Sequence, residues 1–285
     1  MLKQRLPVAV GHFASVPWIP NYTGADAWPV SLLRCESSGV RELALQGRVD
    51  ITPMAVADWF DMGDSWRRLD NWGISFREKA ESVCLFSPRP IEDLHLAEIA
   101  ICDQTTSSVR ILQALLKGKY GLGIGPWRRN VNVHEATTPR LLIQNEAVEE
   151  RARKRFPYVY DLGREWHEWQ GTPVVTAVWV YHASVDPSDV EAMRQLLADS
   201  MARYRADPLA AVTSHRTRFR WTSTIEEIVA LHRNFEYELQ EEASYGLDRM
   251  RAILPRRVEG FDIAHHQSLV LPEVEEEQVG LGTRK

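Results

Sequence analysis

Long hydrophobic runs, clustered cysteines and a large excess of one charge are all missing from this 285-residue chain. No stretch approaches the roughly 20 apolar residues that a membrane-spanning helix needs, so we expect no membrane partner. The formal net charge of −5 comes from interspersed acidic and basic residues, which argues against a nucleic-acid-binding surface. The hydrophobic fraction of 44% is that of an ordinary globular protein.

Cysteine is scarce, and its three positions, Cys35, Cys84 and Cys102, are far apart. Their odd number and wide spacing exclude a disulfide framework and a CxxC site, so we expect buried, unreactive thiols. Histidine partners at zinc-ligand spacing are absent, and no metal is predicted. The first residues, MLKQRLPVAVGHF, lack a continuous apolar segment and a small-residue cleavage site. We therefore expect no signal peptide and a cytoplasmic location.

Strand and helix patterns alternate up to about residue 182, and helical patterns follow it. This order predicts an α/β fold with a helical C-terminal part. Two breaks, at Pro88-Arg89-Pro90 and near residues 183–187, predict two lobes that the chain crosses twice. We assign residues 1–87 and 183–285 to the first lobe and residues 88–182 to the second, with a ligand cleft between them.

Four consecutive hydroxyl residues, Thr105 to Ser108, open a helix predicted over residues 106–117. The free N–H groups and the dipole of a helix N-terminus attract carboxylate or phosphate groups. One hydroxyl is enough to cap the helix, so four of them favour an anion-binding site. The glycine-rich segment at residues 121–125 is followed by Pro126-Trp127 and matches neither a dinucleotide fingerprint nor a phosphate loop.

His12 follows the first predicted strand, where α/β proteins place ligand contacts. A neutral histidine there can act as an acid or base, and a structural, hydrogen-bonded histidine is the alternative. Most of the ten tryptophans are expected in the core. Trp18, in the first loop, and Trp179, in a strand, are predicted to line the cleft.

Several segments, in order along the chain, resemble the chorismate dehydratase family of the futalosine route to menaquinone. That family has the fold of a type II periplasmic binding protein. Four features of that family have counterparts here: the glycine-isoleucine and SVLLFS stretch, the S-x-TS-V helix start, the ALLIGD strand and the YDLG…W…TGLPFVFAxW signature. The matching residues are Val49-Asp50-Ile51, Gly73-Ile74, Ser82 to Ser87, Thr106 to Val109, Arg140 to Ile143, Tyr160 to Gly163, Trp166, Gly171 to Pro173, Ala177 to Trp179 and Glu241-Glu242 with Gly246-Leu247.

The resemblance implies a lyase that removes water from chorismate to give 3-[(1-carboxyvinyl)oxy]benzoate, without a cofactor or metal. The substrate is a small dianion, its own side-chain carboxylate serves as the base in this family, and aromatisation drives the reaction. The quaternary state is left open, a homodimer included. The patterns and the resemblance together predict His12 and Ser15 as catalytic residues. The predicted substrate-binding residues are Ala14, Trp18, Ser82, Thr105, Thr106, Ser107, Ser108, Gln144, Asn145, Thr176 and Trp179.

Two positions depart from the family pattern. Ala14 occupies the place of a functionally important asparagine, and Gln144-Asn145 replaces the glycine-aspartate pair after the ALLI strand. Loss of one donor from a preorganised site costs about 2.7–4 kcal/mol of transition-state stabilisation. The departures therefore keep two alternatives open: a relative that acts on a different enolpyruvyl or carboxylated substrate, and a binding protein without catalytic activity.

Overall fold

The computed structural model describes residues 6–10, 13–18, 30–35, 39–102, 105–129, 136–215, 223–259 and 275–277. In chain order the strands are β1 Leu6–Val10, β2 Val30–Arg34, β3 Ile51–Ala55, β4 Trp66–Phe76, β5 Val83–Ser87, β6 Ile99–Ile101, β7 Trp127–Arg128, β8 Arg140–Ile143, β9 Tyr158–Asp161, β10 Val174–His182, β11 Phe235–Glu238 and β12 Glu275–Glu277.

The α-helices alternate with these strands, and short 3-10 helices cover Phe13–Trp18 and Ile91–Asp93. The last turn of α3 continues as a π-helix over Leu115–Lys119. The helices are α1 Val40–Leu45, α2 Val56–Asp61, α3 Ser107–Ala114, α4 Gln144–Arg153, α5 Leu162–Gln170, α6 Pro187–Ala206, α7 Pro208–His215, α8 Ile225–His232 and α9 Glu241–Ile253.

Two bodies are built on separate sheets, which confirms the predicted two-lobed α/β fold. The first lobe contains the four-stranded sheet β11-β4-β10-β3 and the neighbouring sheet β1-β2-β12. The second lobe is built on the five-stranded sheet β7-β6-β8-β5-β9. Helices α3, α4 and α5 contact this second sheet, whereas α2 and α9 contact β10 of the first lobe.

The chain crosses between the lobes earlier than the sequence-based boundaries at 88 and 183. Strand β4 pairs in the first lobe and β5 in the second, so the first crossing lies at residues 77–82. Strand β9 pairs with β5, α5 contacts both of these strands, and β10 returns to β3 and β4, so the second lies at residues 171–173. The two sequence breaks used for the prediction lie directly after β5 and β10. The chain crosses between the lobes before each of these strands.

Local signals account for the ends of several helices. Asp186 caps α6 by accepting a hydrogen bond from the Ser188 N–H at 2.8 Å, and Pro187 occupies the first turn, where its missing N–H costs nothing. Thr224 forms a capping box with Glu227 at the start of α8. Gly171 ends α5 with a positive φ of 67°, the left-handed conformation that glycine adopts without strain.

One sequence-based expectation on secondary structure was wrong. The C-terminal part is not entirely helical, because β11 pairs with β4 at the edge of the first-lobe sheet. In the described residues, no helix is long and apolar enough to cross a membrane.

Among the described residues no disulfide links the three cysteines: Cys35 and Cys84 are buried and Cys102 is half-buried. Burial, followed by the charge of Asp161, raises the pKa of the Cys84 thiol to about 12, which keeps it protonated at neutral pH. Across the described ranges, no three histidine, cysteine, aspartate or glutamate side chains are grouped to hold a metal ion.

Candidate functional site

The two main sheets face each other at the ends of their strands, and we call the end of each sheet that faces the other sheet its edge. In the second lobe, β6 runs parallel to β8, and β5 runs antiparallel to both β8 and β9. The start of β5 and the ends of β6, β8 and β9 therefore share an edge. In the first lobe, Phe76, Val174 and Phe235 lie side by side at one edge. Only residues 77–82 connect Phe76 to β5, so this edge faces that of the second lobe.

The predicted hydroxyl row lies at the second-lobe edge, where β6 leads into α3. Thr105, Ser107 and Ser108 are buried, with exposed fractions of 2%, 4% and 7%. Thr106 is the residue before the first turn of α3, yet its side chain makes no capping hydrogen bond to the helix. The N–H groups of the first turn thus lack the side-chain partner that a threonine at this position usually supplies.

The α3 start touches α2 of the opposite lobe, and we call this contact the α2–α3 junction. The Ala57 N–H donates to the Ser107 hydroxyl oxygen at 3.0 Å. Arg110 of α3 forms an ion pair with Asp61 of α2 and lies 3.4 Å from the Ala57 carbonyl oxygen. Because Ser107 accepts a hydrogen bond from Ala57, its own hydroxyl proton remains available to donate to another acceptor.

Asp58 is the functional candidate that the sequence analysis missed. It lies in the first turn of α2 and is 8% exposed. Its Oδ2 atom is buried and has no hydrogen-bond partner among the described residues. Burial raises the pKa of Asp58 to about 6, against the lowering charges of Arg41 and Arg110. Perturbed carboxyls in clefts are typical of functional sites.

Nothing in the sequence marked Asp58, because an isolated aspartate in a short helix is a common surface residue. Its burial arises only when α3 of the second lobe covers α2. The one available signal was its position directly after β3, where α/β proteins collect ligand contacts.

Ser82 and Gln144, two predicted binding residues, meet at the same edge. The Gln144 N–H donates to the Ser82 carbonyl oxygen at 2.7 Å, and the Ser82 hydroxyl donates to the Ala80 carbonyl oxygen at 3.3 Å. Gln144 has a positive φ of 54°, a costly conformation for a residue other than glycine. Such strain often occurs at ligand sites, and here it turns the chain from β8 directly into α4.

Asn145 lines a groove between α4 of the second lobe and α8 of the first. The groove has a volume of about 250 Å³. It opens beside the edge that carries Ser82 and Gln144, so it extends the space between the lobes. Its other lining residues are Glu81, Val148, Arg151, Ser223, Glu227, Ile228, Ala230 and Leu231.

The predicted site residues of the first lobe lie in different environments. Ala14 and Ser15 are buried in the 3-10 helix Phe13–Trp18, with exposed fractions of 6% and 3%. The Thr176 hydroxyl donates to the Ile74 carbonyl oxygen of β4 at 3.4 Å, so it is engaged within the sheet. His12 lies outside the described residues.

Trp18 and Trp179 occupy the core, contrary to their predicted place at the cleft surface. They are 1% and 0% exposed, and their ring centroids lie 5.5 Å apart in an edge-to-face contact. Trp18 makes a second such contact with Tyr237 at 5.5 Å. Burial of three large rings stabilises the first lobe, and this packing explains both tryptophans without a ligand.

Solved structures with similar folds are periplasmic binding proteins or share their architecture. The Archaeoglobus fulgidus protein AF1704 is 14% identical over 89% of this chain and 97% of its own, with a TM-score of 0.69. The Candida albicans CA3427 product, which has the generic periplasmic binding protein fold, is 11% identical over 87% of this chain and 89% of its own, with a TM-score of 0.60.

The aliphatic sulphonate binding protein SsuA of Escherichia coli is 11% identical, over 90% of this chain and 96% of its own, with a TM-score of 0.60. At these identities the similarity establishes the fold alone. The sequence itself matches a protein family described as menaquinone biosynthesis over residues 8–256. Because this match covers most of the 285 residues, the chain belongs to the menaquinone biosynthesis family, and the family resemblance drawn from its sequence is confirmed.

Proposed function

We propose that this protein is a chorismate dehydratase-like lyase that converts chorismate to 3-[(1-carboxyvinyl)oxy]benzoate. The observation that carries the proposal is the α3 N-terminus, which has buried hydroxyls, no side-chain cap and a position at the edge between the lobes. An uncapped helix start with hydroxyl donors is suited to a carboxylate. Membership of the menaquinone biosynthesis family supports the choice of substrate.

In the proposed complex, the Ser107 and Ser108 hydroxyls and the first N–H groups of α3 bind one substrate carboxylate. Ser107 is already oriented by the Ala57 N–H of the opposite lobe, so closure of the lobes and orientation of this donor occur together. The substrate's side-chain carboxylate removes the ring proton, as the family resemblance implies. Contact between the lobes excludes water and holds the substrate in one geometry for elimination.

The second candidate is a lyase of the same family with a different carboxylated substrate. Ala14 favours it, because its methyl group supplies no hydrogen bond at the position where the family has asparagine, and it is buried at 6% exposure. Asn145 favours it as well, since it replaces a carboxylate and lines the groove toward α8. A cytoplasmic location and the state of oligomerisation remain predictions under either candidate.

The test is incubation of the purified protein with chorismate, followed by chromatography and mass measurement of the products. We expect loss of one water, and we expect Ser107→Ala to lower kcat/KM by about 10–100-fold, since hydrogen bonds to charged groups contribute about 1.5–3 kcal/mol. Thr213→Ala is the matched control, because this exposed hydroxyl of α7 donates to the Leu209 carbonyl oxygen of the same helix at 2.7 Å.

Chorismate that binds but is not consumed contradicts the proposal. In that case Ala14→Asn separates the remaining alternatives. Turnover gained by this variant points to a diverged enzyme, and tight binding without turnover in both proteins points to a binding protein.

A further inference from the structure

Beyond α9 the chain makes a third connection between the lobes, at residues 254–259. Helix α9 contacts β10 of the first lobe, and Glu259 contacts the second lobe through its backbone. The Glu259 N–H donates to the Gln113 Oε1 atom of α3 at 3.0 Å, and the Glu259 carbonyl oxygen accepts from the Trp127 Nε1 atom of β7 at 2.6 Å. Further along the chain, β12 pairs with β2 of the first lobe. The chain thus leaves the first lobe, binds the second and returns, and we call residues 254–259 the strap.

The partners of the strap in the second lobe are buried side chains. Gln113 and Trp127 are 1% and 7% exposed, and together they bind the N–H and the carbonyl group of a single residue. Hydrogen bonds between neutral groups shift an equilibrium by about 2- to 12-fold each. Lys117 adds an ion pair with the Glu259 carboxylate at 2.7 Å, but both side chains are about half exposed, so this pair contributes little. The two backbone hydrogen bonds therefore hold the strap.

The other two crossings lie side by side and have the arrangement of a hinge. The first crossing begins after Phe76 and the second ends before Val174, and these two residues are paired at the edge of the first-lobe sheet. Two neighbouring segments let the bodies that they join rotate about their common position. A third connection opposes this rotation if it lies at a distance from the other two.

Helix α9 carries the strap away from this hinge. At Gly246 the helix touches the second crossing, where an added Cβ would lie 2.5 Å from the Pro173 carbonyl oxygen. The helix continues to Ile253, roughly 10 Å further along its axis. Near its end, the Arg251 guanidinium lies over the Trp59 ring of α2, 4.5 Å from the ring centroid. The strap therefore crosses to the second lobe beside the α2–α3 junction and not at the hinge.

We propose that the strap fastens the two lobes across the α2–α3 junction and sets how often this junction opens to admit a ligand. The Ser107 and Ser108 hydroxyls are 4% and 7% exposed, so a ligand reaches them only when α2 moves away from α3. That movement separates the end of α9 from Gln113 and Trp127, so Glu259 must be released first. The family match ends at residue 256, and the contact at Glu259 lies outside it. The inference concerns access to the space between the lobes and holds whichever substrate is converted there.

Hydrogen exchange at the Ala57 amide measures the opening of the junction. This N–H lies in the first turn of α2, where N–H groups lack an acceptor in their own helix, and it donates to the Ser107 hydroxyl oxygen of the opposite lobe at 3.0 Å. Its exchange rate in the whole chain, followed by NMR, reports the fraction of molecules in which the lobes are apart. Val178, in the middle of β10 between β3 and β4, reports global unfolding. We expect Ala57 to exchange faster than Val178 in the wild-type protein.

Two variants each remove one hydrogen bond, from opposite sides of the contact. Trp127→Phe removes the indole donor, and Glu259→Pro removes the backbone N–H. We expect each of them to accelerate Ala57 exchange by about fivefold, and the double variant by about 25-fold, because each lost bond contributes one such factor. Exchange at Ser188, in the first turn of α6, should remain unchanged. Glu259→Gln is the matched control, since it removes the ion pair with Lys117 but leaves both backbone hydrogen bonds, and we expect a change within about twofold.

The outcomes separate the strap from a local effect of either substitution. Ala57 exchange that accelerates in both single variants supports the inference. Exchange that is unchanged in both overturns it, because the junction then opens without release of the strap. Acceleration in only one variant also overturns it, since the effect then belongs to the substituted residue and not to the contact. Wild-type exchange at Ala57 as slow as at Val178 overturns it as well, because the lobes then separate only on global unfolding. Turnover of chorismate, present or absent, bears on the proposed reaction alone.

Discussion

Replacement of Asp161 tests whether one carboxylate fixes the geometry of the first chain crossing. Its Oδ1 atom accepts hydrogen bonds from the N–H groups of Ala80, Gly163 and Arg164 at 2.9, 3.0 and 3.2 Å. Its Oδ2 atom accepts from the Glu81 N–H at 2.6 Å. Ala80 and Glu81 belong to the first crossing, whereas Gly163 and Arg164 lie in the first turn of α5. Asp161 therefore ties the first crossing to the second lobe at the start of α5.

The magnitude follows from the donors that lose their acceptor. In Asp161→Ala, the Ala80 and Gly163 N–H groups stay buried, and each unsatisfied buried group costs about 1–3 kcal/mol. The Glu81 and Arg164 donors are nearer the surface and can bond to water. We expect Asp161→Ala to lower the free energy of unfolding by about 4 kcal/mol. We expect a loss of about 2 kcal/mol for Asp161→Asn, because asparagine keeps one acceptor oxygen but places its NH2 group against a backbone N–H donor.

Denaturant unfolding followed by tryptophan fluorescence measures these losses. The matched control is Asp186→Ala, since Asp186 also caps a helix, through the Ser188 N–H, but lies exposed. An exposed cap contributes about 1 kcal/mol. If Asp161→Ala is no more destabilising than Asp186→Ala, the buried N–H groups find other acceptors, and Asp161 does not fix the first crossing.

Two further predictions concern packing and charge. Gly73→Ala places a Cβ 2.7 Å from the Ala177 carbonyl oxygen and 2.9 Å from Leu239 Cδ1; because the carbonyl is backbone, we expect a loss of about 1–3 kcal/mol, and a Cm equal to the wild-type value contradicts this packing. Glu150→Gln breaks the ion pair with Arg155 and is expected to cost about 2 kcal/mol at pH 7. Burial raises the Glu150 pKa, but Arg155 lowers it further, so the folded value lies below the ordinary one. The stabilisation is therefore present above about pH 4.3 and lost as the pH falls through the folded pKa. We expect the difference in the free energy of unfolding between the two proteins to be largest at pH 7 and to shrink as the pH falls below about 4.3, and a difference that does not change with pH refutes the assignment.

Segments with strong local signals could be predicted from the sequence. The helix predicted over residues 106–117 is present as α3, Ser107–Ala114, and its π-helical continuation, Leu115–Lys119. The first half of β4, WRRLDN, shows no regular alternation of apolar and polar residues and gives no strand signal. Asp70 within it has a positive φ of 50°. Its pairing with β10 and β11, far away in sequence, is what makes the segment a strand.

The tryptophans illustrate a different limit. Composition shows that aromatic side chains are numerous, but it does not distinguish a ring that lines a cleft from one in the core. Trp18 follows β1 and Trp179 lies within β10; α6 and α7 contact the 3-10 helix that carries Trp18, and the Trp18 ring packs against Trp179 and Tyr237. Their placement depends on the packing of segments far apart in sequence, which periodicity alone does not contain.

The hydroxyl row shows why a site can be located from sequence while its chemistry cannot. The four residues from Thr105 to Ser108 marked the correct helix start, because hydroxyl type and position are local properties. The direction of the Ser107 hydrogen bond depends on the opposite lobe, because Ser107 accepts from the Ala57 N–H of α2. This direction leaves the Ser107 proton for another acceptor, so the donor capacity of the row depends on the contact between lobes. We therefore expect that a mutation on α2 that displaces Ala57 changes the orientation of the Ser107 hydroxyl without altering any residue that the sequence assigned to the site.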